Sequence, residues 1–232
     1  MLSVENLQKH FTIHHLDKTL KAIQGISFSV KEGQFLGIVG KSGSGKSTIL
    51  KSIYGTYKPQ SGCICFESES LGRVNLLEAS DREMSHLRKY EIGYVSQFLS
   101  VMPRTTAFEL VEQAALEAGI EVNQANEAAR ETLSHFDLDE SLWNSYPNYF
   151  SGGEKLRLNI ARAVVKKPRL LLLDEPTASL DDASKQKVRE SIEKLKQQGT
   201  TLIGIFHDLE FMEGLCDEVF TMQKAAVSTS ES

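Results

Sequence analysis

Gly40-Lys-Ser-Gly-Ser-Gly-Lys-Ser-Thr48 follows the apolar run Phe35-Leu-Gly-Ile-Val39 and opens a segment of helical character that reaches about Tyr54. A strand, a glycine-rich loop and a helix, in that order, form the setting in which Gly-x-x-x-x-Gly-Lys-Ser cradles phosphate. Gly40, Gly43 and Gly45 let the backbone curl so that successive N–H groups point at phosphate oxygens. The start of the helix adds partial positive charge. Lys46 is placed to reach the β- and γ-phosphates, the Ser47 hydroxyl to ligate Mg²⁺ and Thr48 to donate to the α-phosphate. Lys41, Ser42 and Ser44 complete the expected phosphate-binding loop. A dinucleotide Gly-x-Gly-x-x-Gly reading fails, because Gly43-Ser-Gly45 is followed by Lys46, Ser47 and Thr48.

On either side of the loop, the pattern predicts an α/β fold. Residues 1–30 alternate apolar and polar positions, as in Ile26, Phe28 and Val30, which suggests antiparallel strands. Gly62 to Phe66 and Ile92 to Val95 read as strands, and Ser80-Asp81 followed by Arg82 to Lys89 reads as a capped helix. From about Phe98 to Phe150, alanine, leucine and glutamate dominate without strand signals, so this stretch reads as a helical insert. Leu170 to Leu173 and Thr201 to Phe206 are strands flanking a helix at Asp182 to Gln197. Strands alternating with helices imply a mostly parallel sheet covered on both faces. The expected organisation is a single domain over 1–232. A core with an N-terminal antiparallel β subdomain spans 1–97 and 151–224, a helical subdomain spans 98–150, and 225–232 form a disordered tail.

Bulk properties narrow the function classes. The chain has 232 residues and a net charge of −5, so no global basic field points to nucleic acid or an anionic membrane surface. No apolar run approaches the ~18 residues of a membrane span. The three cysteines, Cys63, Cys65 and Cys216, give no disulfide framework, and a reducing cytosol is the simpler reading. Cys63 and Cys65 share one strand face and are read as small core side chains rather than metal ligands. His10, His14 and His15 are read as decorating an exposed hairpin, and Trp143 as a packing residue.

Two further stretches carry chemistry. Leu170-Leu-Leu-Leu-Asp174-Glu175-Pro176 sets two carboxylates at the carboxyl end of a buried strand, where ligands bind in open parallel sheets. Asp174 suits Mg²⁺, directly or through water, and Glu175 suits a general base that polarises an attacking water. Phe150-Ser-Gly-Gly-Glu154 precedes a helix over Lys155 to Val165, so Ser151, Gly152 and Gly153 form a second anion-binding helix start.

Together these motifs resemble the ABC-type ATPases. Residues 40–48 resemble the family's Walker A motif, 150–154 its signature and 170–175 its Walker B motif. Gln97 falls at the Q-loop glutamine, Ser179-Leu180-Asp181 at the D-loop and His207 at the switch histidine. The order is the family's and the resemblance spans nearly the whole chain. The signature departs from the usual Leu-Ser-Gly-Gly-Gln in having Phe150 and Glu154. The resemblance implies Mg²⁺-dependent ATP hydrolysis by a head-to-tail homodimer, in which Ser151, Gly152, Gly153 and Glu154 contact the ATP held by the partner's loop. It also implies that Ser47, Asp174 and Gln97 surround Mg²⁺, and that Lys46, Glu175 and His207 are catalytic. Phe11, the aromatic before the loop, is expected to stack on adenine, with burial in the N-terminal sheet as the alternative.

A finer resemblance concerns the load. Val95-Ser-Gln-Phe-Leu99, Pro103-Arg104, Leu142-Trp143, Asn159-Ile-Ala-Arg162 and Gly204-Ile-Phe-His-Asp208 are similar to PhnL-type proteins, the ATP-binding proteins of the phosphonate carbon–phosphorus lyase system. That implies a cytoplasmic accessory role beside lyase subunits or a second ATPase of that system. The alternative is the motor of a membrane transporter of the lipoprotein-release or macrolide-export type, bound to a transmembrane permease. A repair-type nucleic-acid ATPase fits least, given the compact insert and the acidic balance.

Overall fold

The computed structural model describes residues 1–13, 18–96, 99, 104–177, 180–222 and 227–228. Long strands β1 (Leu2–Ile13) and β2 (Lys18–Val30) open the chain, and β3 (Phe35–Gly40) runs into the glycine-rich loop and α1 (Lys46–Ile53). A hairpin of β4 (Ser61–Ser68) and β5 (Gly72–Asn75) follows, then α2 (Asp81–Tyr90) and β6 (Ile92–Val95). Helices α3 (Ala107–Glu117), α4 (Val122–His135) and α5 (Glu140–Trp143) and a 3₁₀ turn, Pro147–Tyr149, lead into α6 (Gly152–Val164). The remainder is β7 (Leu170–Asp174), α7 (Asp182–Gln197), β8 (Thr201–Ile205), α8 (Leu209–Met212), β9 (Glu218–Met222) and β10 (Val227–Ser228).

Two five-stranded sheets result. One is antiparallel, in the order β10-β2-β1-β4-β5, and the other is parallel, in the order β6-β7-β8-β3-β9. The leucine run of β7 explains the layering. Leu170 and Leu172 point into the core shared with the antiparallel sheet, α1 and α2, whereas Leu171 and Leu173 point into the core shared with the later helices. All four are fully buried. A strand alternates its faces every residue, so only a sheet covered on both sides hides four consecutive leucines. Each such side chain contributes about 1.5–3 kcal/mol by leaving water.

The helical layer follows from spacing and caps. Ala125, Ala129 and Leu133 recur every four residues on α4 and are fully buried. Helices α2, α3 and α6 each begin with a reciprocal capping box, formed by Ser80 with Glu83, Thr106 with Glu109 and Ser151 with Glu154. No described helix is long and apolar enough to cross a membrane.

Two expectations are corrected, and one strand was unforeseen. Cys63 and Cys65 are not core side chains. Ile64 and Phe66 take the buried face of β4, which leaves the cysteines half-buried on the other, their sulfurs 3.0 Å apart. The tail read as structureless from 225 includes β10, whose Val227 and Ser228 pair with Leu20 and Thr19. Strand β5 was not foreseen, because Gly72-Arg-Val-Asn75 is too short and polar to show alternation.

One buried carboxylate ties the β4–β5 turn to the parallel sheet. Glu91, 5% exposed, accepts hydrogen bonds from the Ser68 hydroxyl at 2.6 Å, the Ser70 hydroxyl at 2.7 Å and the Glu69 N–H at 2.9 Å. Burial pushes its carboxyl up, but these donors more than offset that and hold it below the usual carboxylate range. Glu91→Ala should lower unfolding stability at pH 7 by about 2–3 kcal/mol in urea titrations. Because the native pKa lies below the unfolded one, the contribution is complete above the unfolded value of about 4.3. The gap between wild type and variant should therefore close as pH falls through the lower native value.

Candidate functional site

The glycine-rich loop leaves the carboxyl end of β3 with left-handed glycines at Gly43 (φ +75°) and Gly45 (φ +95°). At Gly45 a side chain is excluded twice, because its Cβ would also lie 2.1 Å from the Ala22 carbonyl oxygen of β2. Gly45 caps α1 without any side-chain acceptor, so the first-turn N–H groups remain available to a ligand. Lys46 is 4% exposed, and its ammonium donates to the carbonyls of Gly40 at 2.9 Å and Lys41 at 3.2 Å, spanning the loop from inside. Ser44 is 1% exposed, and its buried hydroxyl has no hydrogen-bond partner among the described residues. A buried orphan hydroxyl beside a curled, N–H-rich loop suits an anionic ligand.

Asp174 ends β7 and joins the loop to the sheet. The Ser47 hydroxyl donates to Asp174 Oδ1 at 2.8 Å, and the Tyr94 hydroxyl donates to Oδ2 at 2.6 Å. Burial first, and then the Asp174 carboxylate, push the Tyr94 phenol far above its ordinary value, which keeps it a donor. The residues fit Mg²⁺. Adjacent ligands of an octahedral ion with bonds of 2.0–2.1 Å lie about 2.9 Å apart, close to the Ser47–Asp174 separation. Among the described residues no cluster of three or more His, Cys, Asp or Glu side chains could hold a metal. Phosphate and water would supply the further ligands of an ion held by Ser47 and Asp174, beside the expected Gln97.

Glu175 and His207 meet beyond the ends of β7 and β8, which pair through Asp174 and Ile205. His207 Nε2 lies 2.9 Å from Glu175 Oε1, and the two side chains are 47% and 23% exposed. They border a cavity of about 590 Å³, lined also by Thr177, Leu180, Phe206 and Asp208. The backbone at Glu175 is left-handed (φ +52°), a conformation costing an L-residue roughly 1–2 kcal/mol. Phe206 is 1% exposed, wedged edge-on to Phe35 and tilted against Phe211. Its ring lies over Gly204, where a Cβ would come within 2.4 Å of it. The strand end that carries His207 is thus anchored in the core.

The remaining expected residues are placed as follows. Ser151 caps α6, its N–H donating to Glu154 Oε2 at 2.7 Å and its Oγ accepting from the Glu154 N–H at 3.3 Å. Gly152 is the first residue of α6, and Gly153 abuts Ser184 of α7, whose Oγ would lie 2.7 Å from an added Cβ. Asp181 caps α7, accepting from the Ser184 N–H at 2.9 Å, so within one chain its carboxylate has a helix-starting role. Phe11 is half-buried and pairs across β1 and β2 with Leu20, two residues from the Ala22 carbonyl that Gly45 abuts. Its ring meets Tyr57 edge-on at 5.2 Å, with the Lys9 ammonium 4.9 Å above. Thr48, Lys41, Ser42 and Gly43 lie on the loop and first turn of α1 as expected. Gln97 lies outside the described residues, as do Phe98, Ser179, His14 and His15. His10 is exposed and bonded through its backbone to Gln60.

Sequence reading missed Tyr94, Tyr57 and the Lys185–Asp208 ion pair at 2.9 Å, which links α7 to the cap of α8. Only the register of β6 on β7, which sets Tyr94 opposite Leu172, brings the phenol to Asp174.

Comparison with known proteins agrees with this geometry. The family model described as ABC transporter matches residues 23–178. An ABC transporter ATP-binding protein of Thermotoga maritima is 37% identical over 198 residues, covering 85% of this chain and 82% of that one. The lipoprotein-releasing system ATP-binding protein LolD of Legionella pneumophila is 34% identical over 232 residues, covering 100% of this chain and 98% of that one. Among solved structures, the dimeric post-hydrolysis state of the ATP-binding cassette MJ0796 bound to ADP and Pi superposes with a TM-score of 0.87. It is 27% identical, with 100% of both chains covered. These relatives favour the transporter-motor alternative over the phosphonate reading, which draws no support from them. Lys46→Ala should remove the melting-temperature rise that ATP with Mg²⁺ gives the wild type, weakening apparent affinity at least 100-fold. A retained shift would contradict the loop assignment.

Proposed function

The chain belongs to the ABC transporter family, and from that premise we propose that it is the ATP-hydrolysing motor subunit of a transport assembly, working as a head-to-tail homodimer on a membrane-embedded permease. The observation that carries this reading is the convergence of Lys46, the Ser47–Asp174 pair and the Glu175–His207 pair at the carboxyl edge of one parallel sheet.

In this reading the N–H groups of Gly40 to Ser47 and the Lys46 ammonium bind the β- and γ-phosphates, and Phe11 stacks on adenine. Ser47 and Asp174, with Gln97, would hold Mg²⁺, which would neutralise phosphate charge. Glu175 orients a water and accepts its proton as the water oxygen bonds to the γ-phosphorus. The bond from that phosphorus to the β–γ bridging oxygen breaks, leaving ADP and phosphate. His207 holds the Glu175 carboxylate and turns toward the γ-phosphate when ATP is present. Ser151, Gly152, Gly153 and Glu154 of one copy complete the site of the other, and Asp181 lies beside that seam. Closure around ATP and reopening after hydrolysis supply the stroke.

The load is the finer question. LolD acts in a lipoprotein-releasing system by its name, and a permease of that kind is the partner proposed here. Affinity purification of the tagged chain in mild detergent should bring down an integral membrane protein. Recovery of carbon–phosphorus lyase subunits instead would replace this reading with the phosphonate one. For the motor, Glu175→Gln should keep ATP binding, slow turnover by at least 100-fold and elute as a dimer in ATP. Turnover within threefold of wild type would exclude Glu175 as the base.

A further inference from the structure

The phosphate-loop reading uses Ser47 but leaves the second hydroxyl on Asp174 unexplained. We propose that Tyr94 is a positioning residue for the metal site: by holding Oδ2 of Asp174, its phenol leaves Oδ1, beside Ser47, as the single oxygen presented to Mg²⁺. The inference rests on the nucleotide-site reading above and deepens it.

The geometry supports this in three ways. Tyr94 faces Leu172 across the β6–β7 ladder, and Leu172 precedes Asp174 by two residues. Strand alternation therefore places Tyr94 and Asp174 on the same face as diagonal neighbours. The 2.6 Å contact is at the short end of the O–H···O range, as expected for a hydroxyl bonded to a carboxylate. The phenol is also not a free rotor. Its ring lies 5.0 Å from that of Tyr54, the Arg88 guanidinium sits 5.2 Å over Tyr54, and Arg88 Nε donates to the Tyr54 carbonyl at 2.8 Å.

The chemical consequence is cation choice. A carboxylate with both oxygens free can turn and chelate, the mode that larger Ca²⁺ accepts with its six to eight ligands. Mg²⁺ demands near-ideal octahedral geometry and takes one oxygen per carboxylate. Pinning Oδ2 from behind favours the smaller ion and aligns Oδ1 with Ser47 before the ion arrives. Groups that orient metal ligands in this way commonly change metal affinity by 10–100-fold when removed.

The test is Tyr94→Phe, which deletes the hydroxyl and keeps the ring. The melting temperature of the ADP-bound protein is titrated with Mg²⁺ and separately with Ca²⁺, and the Mg²⁺ dependence of ATP turnover is recorded alongside. About a tenfold rise in the Mg²⁺ midpoint is expected in both readouts, with the Ca²⁺ midpoint within twofold of wild type. Tyr54→Leu, which disturbs the ring contact but keeps the hydroxyl, should lower the nucleotide-free melting temperature and leave the Mg²⁺ midpoint within twofold. An unchanged Mg²⁺ midpoint in Tyr94→Phe, or an equal shift in Tyr54→Leu, overturns the assignment. If the wild type itself gains nothing from ADP and Mg²⁺, the nucleotide-site reading falls and Tyr94 with it. A responsive wild type matched by Tyr94→Phe sinks only the positioning role.

Discussion

The structure depends on the burial of β7 from both sides. Four leucines in succession have no exposed face to offer, so α1 and α2 with the antiparallel strands must close over one face and the remaining helices over the other. A parallel sheet covered in this way sends all its strands out at one edge. That edge collects the loop after β3, the carboxylates after β7 and the histidine after β8. Residues 46, 174 and 207 are distant in sequence but neighbours in space because their strands share a direction.

At that edge several of the site's groups are also held in place by less polar neighbours. Gly45 lets the loop lie flush on Ala22, Phe206 wedges the strand end before His207 into the core, and Tyr94 braces Asp174 from the side away from Ser47. Glu154 closes a capping box on Ser151 by the same reciprocal bonds that start α2 and α3. The signature's fifth residue is thus also an ordinary helix-starting device, which accounts locally for a carboxylate at that position.

Much of this was legible in the sequence, and for identifiable reasons. The loop, the leucine strand and the capped helix at Ser80 are local signals: glycine spacing, an apolar run, a serine and an aspartate before a helical stretch. The site residues Lys46, Ser47, Asp174 and Glu175 belong to such signals, His207 came only from the family resemblance, and the fold brings them together. What stayed hidden depends on register. Tyr94 meets Asp174 only through the β6–β7 ladder, and nothing in Ile92-Gly-Tyr-Val95 announces that. The cysteines were assigned to the wrong face because the run from Gly62 to Phe66 shows that its positions alternate, without saying which set turns inward. Val227 and Ser228 join a sheet through partners some two hundred residues away, beyond the reach of any local pattern. The load stayed ambiguous for another reason: the motor edge is shared by proteins that drive different work.

The alternating leucines of β7 also divide the chain's freedom to vary. Leu171 and Leu173 answer to the layer of later helices, whereas Leu170 and Leu172 answer to α1, α2 and the antiparallel sheet, so a single strand serves two packing problems that do not share side chains. Substitutions that reshape the later helices need compensation only at alternate positions of this strand, and the side chains facing the other layer are untouched. Such a strand is a party wall: one tenant can be refitted for a new neighbour while the other keeps its furniture. Lineages built on this plan can exchange what they drive without disturbing how they are driven.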